Sequence, residues 1–176
     1  MAEKHNNESQ SIALQQLAKE HQLFIRECGL YIDSENMCLA ASPAGITEDG
    51  NMIIEIQCPI AITSKDPTEP SNLLKLPYIG KDNLGVLGLK RTDDIYYQIQ
   101  GQLHILDKSV CLFAIWTSTR CNMFIEKINR DEQFYKTKME NQLISFYYDW
   151  LLPELIDPRL KRNMQVREPL QPISET

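Results

Sequence analysis

The sequence predicts an α/β domain whose mixed central sheet is covered by helices on both faces. Three observations carry this expectation. The apolar patterns follow the order helix, three strands, long loop, helix, two strands, helix, and strand runs interrupted by helices build layered sheets. Residues 110–117 form an apolar run typical of a strand buried on both sides. A length of 176 residues with 43% apolar side chains is enough for one core.

Taken in order, polar residues 1–9 read as a flexible N-terminus. Residues 10–25 read as an amphipathic helix, because Ile12, Ala13, Leu17, Ala18 and Phe24 recur at near-helical spacing, with Ser9 or Ser11 as its cap. Residues 29–33 (GLYID), 37–41 and 52–58 are expected as three strands of an antiparallel meander, with a bend at residues 42–46 and a turn at 48–51. Pro59 ends the third strand because it has no N–H for the ladder. Residues 63–88, rich in proline and glycine, read as a long excursion with at most a short helix, and loops of that length are usually functional or mobile.

Residues 92–106 form the next helix, opened by Thr92, Asp93 and Asp94, with Asp94, Gln98 and Gln102 on one face. Residues 121–128 pair with 110–117 across a polar turn. The last helix covers 131–155 and carries the aromatic run 146–150, expected in the core with one or two of its rings facing outward. The folded domain is thus expected at 10–157, with 158–176 a flexible tail.

A net charge of −6 and a pI near 5.1 argue against nucleic-acid binding across a broad basic surface. They leave room for a local basic groove, for which Lys81, Lys90 and Arg91 are the candidate contacts, joined by the basic residues within 159–162. Lys90 and Arg91 precede a helix N-terminus, where a phosphate can bind. The five cysteines have no zinc spacing, and His5, His21 and His104 are isolated. With no apolar leader at the start and no membrane-length apolar run, the expected location is intracellular, nucleus or cytoplasm, with the thiols buried.

The chemistry centres on residues 39–60, where Glu55 and Gln57 stand two apart on one strand and project together. GLYID, LAASPAGI, MIIEIQCPI, KRTDDIYYQIQGQL, CLFAIWT and LLPEL follow one another in an order and spacing that resemble the YqaJ-type viral recombinases, the lambda exonuclease-like branch of the PD-(D/E)XK nucleases. The likeness covers residues 6–155 and implies a PD-(D/E)XK mixed sheet flanked by helices and two-metal DNA cleavage.

By that resemblance, the first-helix glutamate falls on Gln10, the turn aspartate on Ala44, the strand glutamate on Glu55, the strand lysine on Gln57 and the helix glutamine on Gln98. Glu55 is then the only retained carboxylate ligand, and Gln57 cannot serve as an ammonium or a base. The resemblance therefore implies a catalytically inactive pseudonuclease with no cofactor, Mg²⁺ entering only if residual nuclease activity exists. The expected role is a protein-interaction scaffold in a nucleic-acid-related pathway, with a protein partner and no membrane. Two alternatives stay open: a pseudonuclease that binds DNA or RNA without cleavage, and a metal-dependent exonuclease with an altered or engineered site.

Overall fold

The computed structural model describes residues 2–165 and Glu168. Among these, the strands are β1 (Ile25–Glu27), β2 (Tyr31–Ile32), β3 (Ala40–Ala41), β4 (Gly45–Thr47), β5 (Met52–Gln57), β6 (Ile79–Lys81), β7 (Leu87–Leu89), β8 (Val110–Ile115) and β9 (Phe124–Asn129). The helices are α1 (Ala2–His21), α2 (Pro70–Leu73), α3 (Asp94–Ile105) and α4, which spans residues 132–156.

The central sheet has the order β1-β4-β5-β8-β9, antiparallel throughout except for the parallel pair β5 and β8. Alternation along β5 sends successive side chains to opposite layers. Ile53 packs with Ile99 and Leu103 of α3, and Cys111, Phe113 and Ile115 of β8 join them. Ile54 and Ile56 pack instead against Ala13, Leu14 and Leu17 of α1, with Ala114 and Trp116. Helices thus cover both faces, as expected.

Several local expectations are corrected. α1 takes in residues 2–9, set apart on composition as a flexible N-terminus, and it ends at His21 because Ile25–Glu27 is extended and paired with β4. Ser9 and Ser11 are therefore helix-interior residues and not caps. The three-strand meander is absent among the described residues: β2 and β3 pair only with each other, and β4, expected as a bend, joins β1 and β5 in the main sheet. The excursion holds the expected short helix, α2, and also an unforeseen hairpin, β6 with β7. Its strands are three residues each, with Gly85 at φ +80° in the turn, too short and glycine-rich to give an alternation signal. Of the tail, Leu160–Arg162 forms a 3₁₀ turn, while residues 166, 167 and 169–176 lie outside the described residues.

Capping explains the starts of α3 and α4. Asp93 accepts from the N–H of Ile95 at 3.1 Å, and Asp131 accepts from that of Phe134 at 2.9 Å. α4 contains two π-helical stretches, Lys136–Glu140 and Phe146–Leu151. These wider turns rotate its faces out of simple heptad register. The aromatic run is accordingly not core: Phe146 is 58%, Tyr148 57% and Trp150 41% exposed.

His104 makes local contacts. Its ring stacks on Tyr135 at 3.7 Å between centroids and lies 3.7 Å from Asp33 and 3.4 Å from Glu132, tying α3 to α4 and to the β2–β3 hairpin. Of the five cysteines, all free, Cys111 alone is buried and the other four are half-buried, so the expectation of buried thiols holds for one. No helix among the described residues is long and apolar enough to cross a membrane.

Gly45 marks where α1 and β1 meet. A Cβ there would sit 2.8 Å from Ile25 Cγ2 and 3.3 Å from the Arg26 carbonyl, so a larger residue would push the edge strand away. Phe113 is fully buried at the middle of β8, under α3. Phe113→Ala should therefore lower unfolding free energy by about 3–5 kcal/mol, read from the shift in denaturant midpoint at unchanged m-value.

Candidate functional site

β5 is a central strand, and its alternation turns Glu55 and Gln57 toward α3. Glu55 is 5% exposed. A carboxylate so deeply placed requires donors on both oxygens, and three glutamines supply them. Oε1 accepts from Gln98 Nε2 at 3.2 Å and from Gln57 Nε2 at 3.3 Å, and Oε2 accepts from Gln102 Nε2 at 3.0 Å. Gln98 and Gln102 stand one turn apart on α3, so both reach across to the same strand. Burial pushes the Glu55 carboxyl above the usual carboxylate range, and the bonds from Gln102, Gln57 and Gln98 oppose that shift.

The structure brings together three of the five positions that the resemblance marks, Glu55, Gln57 and Gln98. The other two make no hydrogen bond to that group among the described residues, although the antiparallel pairing of Gly45 with Ile54 sets Ala44 beside Glu55 in the sheet register. Ala44 packs against the apolar cluster under α1, and Gln10 lies on α1 one turn before Ala13, with no hydrogen bond to Glu55 among the described residues. Asp94, on the same helical face as the two glutamines, is exposed at the start of α3. Gln102 completes the site without having been marked as a site residue; its four-residue spacing from Gln98 was the signal available.

This donor set does not suit a divalent ion. Mg²⁺ takes oxygen ligands and favours carboxylates, whereas three amide nitrogens point inward here and one carboxylate supplies the only charge among them. No group of three histidine, cysteine, aspartate or glutamate side chains with metal-binding placement occurs among the described residues.

Gln98 and Gln102 also line a groove of about 570 Å³ between residues 38–42, α3 and α4. Its other walls are mostly apolar, among them Leu39, Ile105, Met139 and Leu143. Gln102 is 3% exposed, and its Oε1 is buried with no hydrogen-bond partner among the described residues.

A second cleft, of about 370 Å³, gathers Lys81, Lys90 and Arg91, the three candidate nucleic-acid contacts, beside the β6–β7 hairpin. Its cations are partly offset. Glu126 lines the same cleft and accepts from the Leu89 N–H at 2.7 Å, while Lys90 Nζ donates to the Pro77 carbonyl. Burial raises the Glu126 carboxyl, and the Leu89 N–H and Arg91 pull it back. Arg162, in the other basic stretch, is paired with Asp157.

The raised Glu55 gives a pH signature. In the window from its unfolded value up to its raised folded value, the native state holds the extra proton, so stability falls as pH rises through that window. Glu55→Gln removes this titration and can keep the network, because Gln102 can turn its amide. Urea unfolding of the two proteins from pH 4 to 8 should show the variant gaining on the unaltered chain as pH increases.

No family model matches the chain, and no curated protein matches it. Among solved structures, the alkaline exonuclease LHK-Exo of Laribacter hongkongensis superposes with a TM-score of 0.64 at 21% identity, covering 91% of this chain and 72% of that one. The same exonuclease in complex with dAMP gives 0.63 at 21% identity, with the same coverage. The chain has the α/β nuclease fold of that exonuclease, the fold its sequence resemblance led us to expect.

Proposed function

We propose that this chain is a nuclease-fold domain that does not cut nucleic acid and works by binding a protein partner in a nucleic-acid-related pathway. The observation that carries the reading is the Glu55 carboxylate held by three glutamine amides. Both of its oxygens already accept hydrogen bonds, its strand neighbour Gln57 offers no base or ammonium, and Ala44 brings no second carboxylate. Exposed Phe146, Tyr148 and Trp150 on α4 offer apolar surface of the kind protein interfaces use.

A second reading, nucleic-acid binding without cleavage, is favoured by the convergence of Lys81, Lys90 and Arg91 on one cleft. The Glu126 carboxylate in that cleft and the net charge of −6 weigh against it.

Linear duplex DNA incubated with the unaltered chain and Mg²⁺ or Mn²⁺ should stay intact, and capture from a cell extract should recover a defined protein partner that persists after nuclease treatment. Degradation of the DNA would make the chain a working exonuclease and overturn the reading. Recovery of nucleic acid alone, with affinity falling steeply as salt rises, would replace it with the second.

A further inference from the structure

We propose that the groove beside Glu55 receives a lysine or arginine side chain from a protein partner, with the two glutamine carbonyls as its acceptors and the Glu55 carboxylate as its counter-charge. This inference rests on the protein-binding reading above and names the chemistry that the partner must present.

The orientation of the amides is the first step. A glutamine side chain has one face that donates and one that accepts. Gln98 and Gln102 both commit Nε2 to Glu55, at 3.2 and 3.0 Å, so their Oε1 atoms are directed away from it. Both residues line the groove. Each amide spends one Nε2 hydrogen on Glu55, and away from that carboxylate each side chain keeps its Oε1 acceptor and one further N–H.

Gln102 Oε1 is the second step. It is buried without a hydrogen-bond partner among the described residues, on a side chain that is 97% buried. An unmet buried acceptor costs free energy that an incoming N–H group would recover. Accepting from that group would also polarise the amide and strengthen its bond to Glu55.

Charge selects among donors. Glu55 lies directly behind the two amides, and the groove walls are mostly apolar, so a cation in the groove meets its field with few competing charges nearby. An ammonium or guanidinium gains from that field, whereas a phosphate would meet a carboxylate and two carbonyl oxygens. Shape agrees with the choice: the apolar stem of a lysine or arginine can lie along Leu39, Met139 and Leu143 while its head reaches the glutamines. The net charge of −6 favours approach of a basic segment.

The test titrates the isotope-labelled chain with acetyl-Leu-Lys-Leu-amide and with the matching norleucine peptide, which keeps the stem and lacks the charge. The side-chain amide signals of Gln98 and Gln102 report occupancy. The lysine peptide should bind about tenfold more tightly, as expected for a charge-assisted hydrogen bond in a shielded site. Glu55→Gln should bring the two peptides to near equality, and Gln102→Leu should weaken the lysine peptide. Equal affinity of the two peptides, amide signals unmoved at millimolar peptide, or movement with hexathymidylate but not with the lysine peptide would each overturn the inference. If a protein partner is captured but Glu55→Gln leaves the capture unchanged, this inference fails and the protein-binding reading stands; DNA degradation by the chain overturns that reading itself.

Discussion

A carboxylate withdrawn from water must find donors for both oxygens, and Glu55 finds them in Gln57, Gln98 and Gln102. That requirement links the layers of the molecule. β5 lies between β4 and β8, its even-numbered isoleucines seal the α1 layer, and its odd positions face α3. Two hydrogen bonds from α3 therefore tie that helix to the sheet at the point where the apolar core beneath it gives way to polar atoms, and the third lies within β5. An unsatisfied charge at the same depth would destabilise the fold by several kcal/mol.

The same arrangement sets what the neighbouring groove presents. Each α3 glutamine gives one Nε2 hydrogen to the carboxylate, turns its Oε1 away from it, and lines the groove. A divalent metal would need the reverse economy, with several oxygens turned inward around a common point. These two clefts thus differ in chemistry. One is apolar with acceptors and a buried negative charge, the other basic with Glu126 at its margin. The ring stack and ion contacts of His104 lock the β2–β3 hairpin, α3 and α4 together, so the walls of the first cleft are held by one cluster.

Much of this was legible in the sequence, for reasons that differ by element. The α3 boundaries followed from Asp93 as a cap and from apolar spacing, and the β8–β9 hairpin from two strand patterns flanking a polar turn. The placement of Glu55 and Gln57 on one face followed from the period of a strand alone. Strands of three residues, such as β1, β4, β6 and β7, were missed because so few positions cannot establish an alternation, whereas β2 and β3 fall within the strands expected at 29–33 and 37–41. The aromatic run of α4 was placed in the core because ring size favours burial, whereas the π-helical turns shift those rings outward. Within the site, Gln98 was marked by resemblance and Gln102 only by its spacing; their common target on another element is tertiary information.

The central claim is that Glu55 is held by glutamine amides and not reserved for a metal. The most direct measurement is paramagnetic broadening of the Gln57, Gln98 and Gln102 side-chain amide signals on addition of Mn²⁺. The account predicts that these signals broaden no more than amides on the exposed surface up to millimolar Mn²⁺. Selective loss of all three at substoichiometric Mn²⁺ would place a metal at Glu55 and contradict it.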